Sequence, residues 1–549
     1  MKNSKPSKIT IDNITKFDCL IIGAGLSGLS AGLYLSLHGY KPLIIEQESQ
    51  VGGYAVNFQR RHYRFEGSLH SIHGCQSGGF FDIFKELNLH NKINPLRIQH
   101  YKHEYDIENK KEYHWTFKKD QFVEEFTRKY PNDDNDIRKF FNTAFKMGSF
   151  LKCWNDIKFP TKIIRSLHYI HLLPTLLKNL NKSTQDLMES YFSNEKLIND
   201  LISFPAFSGS EPSEMSAIVY FSSFFEKFLT GSYYLAGGSG NLTKIMAHDI
   251  TENGGQILLN HKVVDVEIVN RYLKRILIKP RSKRKNPFVI ELYKTPVLYC
   301  CDPHQFKQYI KKYYQKNKFF KRLDARRTTD SIFQAYLGLD IDLKKLGYPF
   351  YSNVFKLMGN DLNTIIYSNI DPTCCPKGHS NLAVVKFVES DEFERLVEMD
   401  EGDRGKNYKT IKKLFLQEII AELEVAMGID LKNHVKMAIA ATPITFQRYT
   451  SNFKGALAGN ITSFNNILLH RLGYTSGVKN LYFASQWVGL GGGYHNTMQT
   501  GIKVAHLITH KLRRLKKKNQ LPIKLYDLDE DDSLLFEELD MNSKTYKTL

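Results

Sequence analysis

Three glycines and one carboxylate set the first chemical constraint on this chain. Gly23, Gly25 and Gly28 fall in Phe17-Asp18-Cys19-Leu20-Ile21-Ile22-Gly23-Ala24-Gly25-Leu26-Ser27-Gly28, and Glu46 closes the run Pro42-Leu43-Ile44-Ile45-Glu46. At this spacing Gly23 permits a tight turn, Gly25 lets the backbone approach a pyrophosphate, and Gly28 lets a helix pack close to its strand. The pyrophosphate then rests on the helix N-terminus. Glu46 lies about 20 residues beyond the glycines, where a carboxylate accepts hydrogen bonds from ribose hydroxyls and repels a phosphorylated ribose.

The elements that must hold these residues are legible around them. A GxGxxG by itself is often only a turn between strand and helix. Here an apolar run precedes Gly23, a helix is expected over Leu26–Leu37 with Gly28 and Gly32 on one face, and Gly39 ends it before the next strand. Ala24, Leu26 and Ser27 belong to the same turn, and Gln47 follows the carboxylate. NAD and FAD both suit such a unit. The second glycine pair, Gly52-Gly53 with Tyr54 behind it, is a device an FAD site uses and simple NAD dehydrogenases lack, so the expected cofactor is FAD.

At 549 residues the chain is too long for one core, and 42% hydrophobic content supplies two or more domains. The formal charge of +19 suits nucleic acid, an anionic membrane surface or acidic substrates. The basic runs, such as Arg281-Ser282-Lys283-Arg284-Lys285 and Arg513-Arg514-Leu515-Lys516-Lys517-Lys518, come without any nucleic-acid-reading motif, so no nucleic-acid partner is expected. Solvated faces explain them most simply, and a membrane surface is the functional alternative. Seven cysteines without metal-ligand spacing point to reduced thiols and to no metal site. The polar first sixteen residues lack the apolar core of a secretory signal, and no run reaches the length of a transmembrane helix. The expectation is a cytoplasmic protein, either soluble or peripheral on a membrane, of open oligomeric state.

The expected division has an FAD-binding domain in three parts, 17–117, 232–305 and 435–510, and a substrate domain in two. Residues 118–231 make the helical part of the latter and 306–434 its sheet part, with a basic and then acidic tail at 511–549. Within it, strands are expected near 256–259, 262–269, 289–293, 332–339 and 382–387, and a helix near 410–427.

Five blocks in this order resemble the flavoprotein family of phytoene desaturases, carotenoid isomerases and retinol saturases, over nearly the whole chain. They are the first glycine turn with Glu46 and Gly52-Gly53; Tyr63-Arg64-Phe65-Glu66-Gly67-Ser68; Ala236-Gly237-Gly238-Ser239-Gly240 followed by Gly254-Gly255 and Val263-Val264; Cys300-Cys301-Asp302-Pro303-His304; and the two stretches 442–459 and 480–501. The resemblance implies that backbone of the third block, with Val264, lies against the adenine. It implies that the turn through Ser485, Gln486 and Gly493, with Asn496 and Thr497 on the helix behind, offers amides and a positive helix end to the flavin. Many relatives carry Gly-Asp where this chain has Ser485-Gln486, which leaves the ribityl contact without a charge. The resemblance also puts His70, His73, Tyr494 and His495 near the flavin, where Tyr494 and His495 are the catalytic candidates and His495 the first choice for guiding substrate or relaying a proton. A packed structural role is the simpler reading of any one such histidine.

The stretch 162–178 mixes apolar residues at helical spacing with basic ones, which suits a core-facing helix or an interfacial helix admitting a lipid. Phe204, Phe207, Phe221, Phe224 and Phe225 suit an aromatic core or an apolar tunnel. The combined expectation is an α/β chain, a discontinuous Rossmann-like FAD-binding domain with an inserted α+β substrate domain, acting on carbon–carbon bonds of an apolar polyene or isoprenoid-like lipid. Desaturation, isomerisation and saturation share that scaffold. An amine-oxidase-like flavoenzyme and a non-catalytic flavin-bearing membrane protein are the rival readings.

Overall fold

The computed structural model describes residues 13–156, 170–204, 210–399, 405–463, 466, 470–518, 523–527 and 547–548. Five short strands form an all-parallel sheet in the order Gln256–Leu258, Pro42–Ile45, Cys19–Ile22, Val297–Tyr299 and Leu481–Phe483. These strands are drawn from three distant parts of the chain, and the two outer ones lie more than two hundred residues apart in sequence. Their runs are apolar and almost wholly buried, as a sheet covered on both faces requires. Helix Leu26–Leu37 covers one face. A Cβ on Gly32 would stand 2.8 Å from Ile44 Cδ1, so a larger residue there would make the isoleucine side chains beneath the helix shift. The last long helix, Tyr494–Lys517, crosses the first at a second small-residue contact: a Cβ on Gly501 would stand 2.2 Å from the Ser27 carbonyl oxygen, and Ser30 Oγ donates to Met498 O at 2.9 Å. That contact draws the glycine-capped start of the last helix toward the glycine turn of the first. The fold is the expected α/β one, a discontinuous Rossmann-like domain with a second α+β unit.

The second unit is built on a seven-stranded sheet ordered Val435–Ala441, Ser331–Leu339, Ser380–Val388, Asn360–Ile366, Ser352–Leu357, His100–Asp106 and Lys111–Thr116. The last two strands fall in the 17–117 segment that sequence assigned to the nucleotide-binding part, and Val435–Ala441 falls in the 435–510 segment. The sheet therefore runs across both of those boundaries. The reason is non-local pairing: His100–Asp106 lies parallel to Ser352–Leu357, a partner some 250 residues away that no local pattern announces. Helices over Lys119–Lys129, Asp134–Asp156, Glu195–Ser203 and Ala217–Thr230 stack on one end of this sheet around a phenylalanine-rich core that includes Phe122, Phe126, Phe141, Phe204, Phe221, Phe224 and Phe225. The core reading of those aromatics holds for the described ones; Phe207 lies outside the described residues. Of the stretch 162–178, residues 162–169 also lie outside them, and Leu173–Asn179 is helical.

Candidate functional site

One continuous cavity of about 510 Å³ runs from the C-terminal edge of the parallel sheet into the second unit. A ligand site at the C-terminal ends of parallel strands is the rule for such sheets. Its walls include Gly23, Gly25, Leu26, Ser27, Glu46, Gln47, Gly52, Gly53 and Tyr54 from the first block, and Ser485, Gln486, Gly493, Tyr494, His495, Asn496 and Thr497 from the last. Two blocks more than 400 residues apart in sequence thus meet across one space.

The residues fit a dinucleotide. Gly25 caps the first helix with φ −71°, and a Cβ placed there would meet nothing within 4 Å, because it would project into the cavity. Gly28 differs: a Cβ there would stand 2.0 Å from the Gly23 carbonyl oxygen, so this glycine serves helix-to-strand packing and does not line the cavity. Ala24 likewise does not line it, and its amide donates to Glu46 Oε2 at 2.7 Å. The Glu48 amide donates to Glu46 Oε1 at 2.9 Å. Burial pushes the Glu46 carboxyl above its ordinary range, against the pull of these two amides. Fixed by two backbone donors, Glu46 keeps lone pairs for ribose hydroxyls. Gly52 N donates to Ala24 O at 2.8 Å, which clamps the second glycine pair beside the first turn.

At the other glycine turn, Gly493 caps Tyr494–Lys517 at φ +90°, a conformation that favours glycine, and no side chain caps that helix. The free amides of its first turn therefore face the cavity, as does the positive end of the helix. Gln486 extends along the wall, its amide reaching Ala456 O at 3.4 Å. Tyr494 is in the wall, but its hydroxyl is engaged with Ser68 Oγ at 3.1 Å, and burial pushes its pKa well above the ordinary phenol value, so it stays a neutral hydroxyl. The His495 ring lies edge-on to Phe80, with centroids 5.5 Å apart, and covers the backbone of Gly79 so closely that a Cβ there would stand 2.3 Å from Nε2. The helix Gly79–Glu86 thus fixes the ring's orientation.

Two expectations are corrected. Val264 packs with Leu277 and Val289 on the face of the antiparallel sheet away from the cavity, and Val263 is the wall residue, together with His261 and Lys262. A register shift between Val263 and Asp265 breaks the strand's alternation there, so a single-residue assignment from sequence misses its side. The third glycine block does not line the cavity either. Its turn is filled by the chain's own side chains: Gly240 N donates to Asn57 Oδ1 at 2.6 Å, Ser239 N donates to Glu66 Oε2 at 2.9 Å, and Ser239 Oγ bonds Glu66 as well. The carboxylate of Glu66 occupies the helix N-terminus that a ligand anion would need.

His70 and His73 both line the cavity, and burial holds both neutral, His70 at about 4 and His73 well below its ordinary value, with Lys227 and His495 adding to the effect at His73. Lys227 is a wall residue the sequence reading passed over. It sits in the aromatic helix Ala217–Thr230, and burial, reinforced by Lys102 and opposed by Glu226, brings its ammonium down to about 7. The signal was present as Glu226-Lys227 interrupting a run of phenylalanines.

Residues 26–276 match the flavin containing amine oxidoreductase family. The chain is an FAD-dependent oxidoreductase. Among proteins similar to this oxidoreductase is one from Danio rerio named inactive all-trans-retinol 13,14-reductase, 23% identical over 536 residues that span 89% of this chain and 85% of the relative. Another is the 4,4'-diapophytoene desaturase (4,4'-diapolycopene-forming) of a Methylomonas species, 23% identical over 477 residues that span 82% of this chain and 87% of the relative. The oxidoreductase thus resembles the phytoene desaturase, carotenoid isomerase and retinol saturase group, as its five blocks implied. Its fold matches the crystal structure of an oxidoreductase from Methanosarcina mazei, with a TM-score of 0.59 at 14% identity, across 89% of this chain and 99% of that one.

Proposed function

We propose that this oxidoreductase acts on carbon–carbon bonds of a long apolar polyene or isoprenoid-like lipid. The observation that carries the reading is the continuity of the cavity: one space is lined both by the dinucleotide-binding glycines and by Val219, Ile332, Val385, Phe387 and Leu457, and His495 is in the same wall. The apolar part of this wall suits an alkene. Bound FAD would supply hydride-equivalent transfer, and the protein's work is to position a double or single bond and keep the space dry. The named activity of one relative, a diapophytoene desaturase, supports the same substrate class. Neutral His70 and His73 and the neutral Tyr494 hydroxyl suit an apolar substrate better than a cation. Incubation of the holoprotein with carotenoid and retinoid polyenes, followed by mass analysis of the products, is expected to show loss of two hydrogens, gain of two, or an isomer of unchanged mass. Turnover of primary amines with none of these products would overturn the reading in favour of an amine oxidase.

We further propose that the lipid is delivered from an anionic membrane surface. No described helix is long and apolar enough to cross a membrane. The helix Leu173–Asn179, which neighbours the cavity-lining helix Ala217–Thr230, exposes Leu173 and Leu177 at 43% and 59% and carries Lys178. The net charge of +19 adds attraction to anionic headgroups. The chain is expected to sediment with vesicles containing phosphatidylserine, less so as salt shortens electrostatic reach to about 8 Å and below, and less in a Leu173→Ser, Leu177→Ser variant. Equal sedimentation with neutral and anionic vesicles would remove the electrostatic contribution.

A further inference from the structure

Beyond the apolar wall, the main cavity adjoins a second, much smaller chamber of about 50 Å³, and the two share His70, Ser71 and Lys227. The chamber differs from the cavity in chemistry. Lys102 and Lys227 both line it, with Ser71, Asn363 and Thr364 set among apolar residues such as Phe117, Phe204 and Ile365, and no carboxylate lines it. Lys102 is only 7% exposed, and its ammonium lies 3.9 Å from the centre of the Phe204 ring. Lys227 donates to the Tyr101 hydroxyl at 2.8 Å, while that hydroxyl is itself spent on the Phe204 carbonyl. Neither lysine is in an ion pair among the described residues. The nearest buried acids are taken: Asp200 by Lys129 and Lys356 at 2.6 and 2.7 Å, and Glu104 by Lys129 and the Trp115 indole.

Two ammonium groups placed together out of bulk water with no carboxylate in direct contact carry a desolvation and repulsion cost. Burial pushes both below the ordinary lysine range; Lys102 adds to the effect at Lys227, which Glu226 opposes, while at Lys102 the carboxylates of Glu104, Asp200 and Asp361 oppose it in part. A bound anion would offset that cost. The chamber has room for a small polar end group such as a carboxylate, since a water-sized group needs only about 10–15 Å³ of such space. His70, Ser71 and Lys227 stand between the two spaces and line both, so a ligand spanning them would pass these three side chains.

We propose that the substrate is an apolar chain ending in a carboxylate, and that Lys102 and Lys227 hold that carboxylate in the small chamber while the chain lies in the main cavity. This rests on the polyene-lipid reading for the chain and adds to it the end group. The lysines act as a positioning device: a fixed polar end sets which bond along the chain lies beside the flavin, as bidentate ionic contacts do elsewhere.

The test is a titration of the FAD-loaded protein with farnesoate, farnesol and farnesene, three isoprenoid chains differing in the end group, read by the change in flavin fluorescence and by the shift in unfolding temperature. Farnesoate is expected to bind at least about tenfold more tightly than farnesol, which corresponds to one charge-assisted contact. Lys102→Met and Lys227→Met should each bring farnesoate close to farnesol, while Lys102→Arg and Lys227→Arg keep part of the preference. Farnesene, which offers the lysines nothing, reports in every variant whether the cavity is intact. Equal binding of farnesoate and farnesol, or a preference that survives both methionine substitutions, would overturn the proposal and leave the polyene reading standing. If farnesene and farnesol fail to bind while octanoate binds in a lysine-dependent way, the anion chamber stands and the isoprenoid reading falls. If none of the four ligands binds, both fall.

Discussion

Gly25→Val is expected to give a folded protein without flavin. The backbone at Gly25 has φ −71°, which any residue adopts, and a Cβ there meets no atom of the protein within 4 Å. The two valine methyls would stand where the pyrophosphate must approach, which should weaken FAD by at least ~100-fold, or about 2.7 kcal/mol. The far-ultraviolet spectrum and the unfolding temperature of the cofactor-free protein should match those of cofactor-free wild type. Gly28→Ala supplies the contrast. Its Cβ would fall 2.0 Å from the Gly23 carbonyl oxygen, so the expected defect there is poor folding before any question of binding. A Gly25→Val protein that purifies with full flavin absorbance would refute the placement of the cofactor on this turn.

His495→Ala is expected to keep FAD and lose rate. In this region the backbone amides at the start of Tyr494–Lys517, which no side chain caps, would hold the cofactor, and the substitution leaves them in place. The imidazole, by contrast, is held in the cavity wall by Phe80 and the Gly79 backbone. If it guides the reacting bond or carries a proton, its loss should slow flavin reduction or reoxidation by substrate about 10²-fold, at the low end for a positioned acid–base group. Flavin content should stay close to that of wild type. Loss of FAD together with activity would assign His495 a structural role in closing the wall against helix Gly79–Glu86.

The parts of this molecule that sequence revealed are those in which a short stretch of chain carries its own physical signature. The turn through Gly23, Gly25 and Gly28 announces itself because each glycine answers a separate steric demand, and Glu46 because a lone carboxylate closes a buried strand. The turn through Gly493 was legible because glycine precedes a long amphipathic helix. What sequence missed depends on partners far along the chain. His100–Asp106 reads as a strand of unspecified membership until Ser352–Leu357 is seen beside it. The glycines at 237, 238 and 240 look like a ligand cradle, and nothing local says that Asn57 and Glu66 fill it. Val264 and Val263 trade sides through a bulge that hydrophobic alternation does not encode. Lys227 sits in an aromatic helix whose pattern signals core, and its meaning emerges only with Lys102, Tyr101 and the chamber between them.

The central claim, that FAD here exchanges electrons with the carbon–carbon bonds of an apolar chain, is tested most directly by the visible spectrum of the holoprotein under strict exclusion of oxygen. Addition of a polyene or its more saturated counterpart is predicted either to bleach the oxidised flavin bands or to restore them in protein reduced beforehand, with stoichiometric change in the lipid. An isomerase would instead convert the lipid catalytically while reduced flavin persists. A spectrum and a lipid that both stay unchanged with every polyene tried, while an amine bleaches the flavin, would contradict the account.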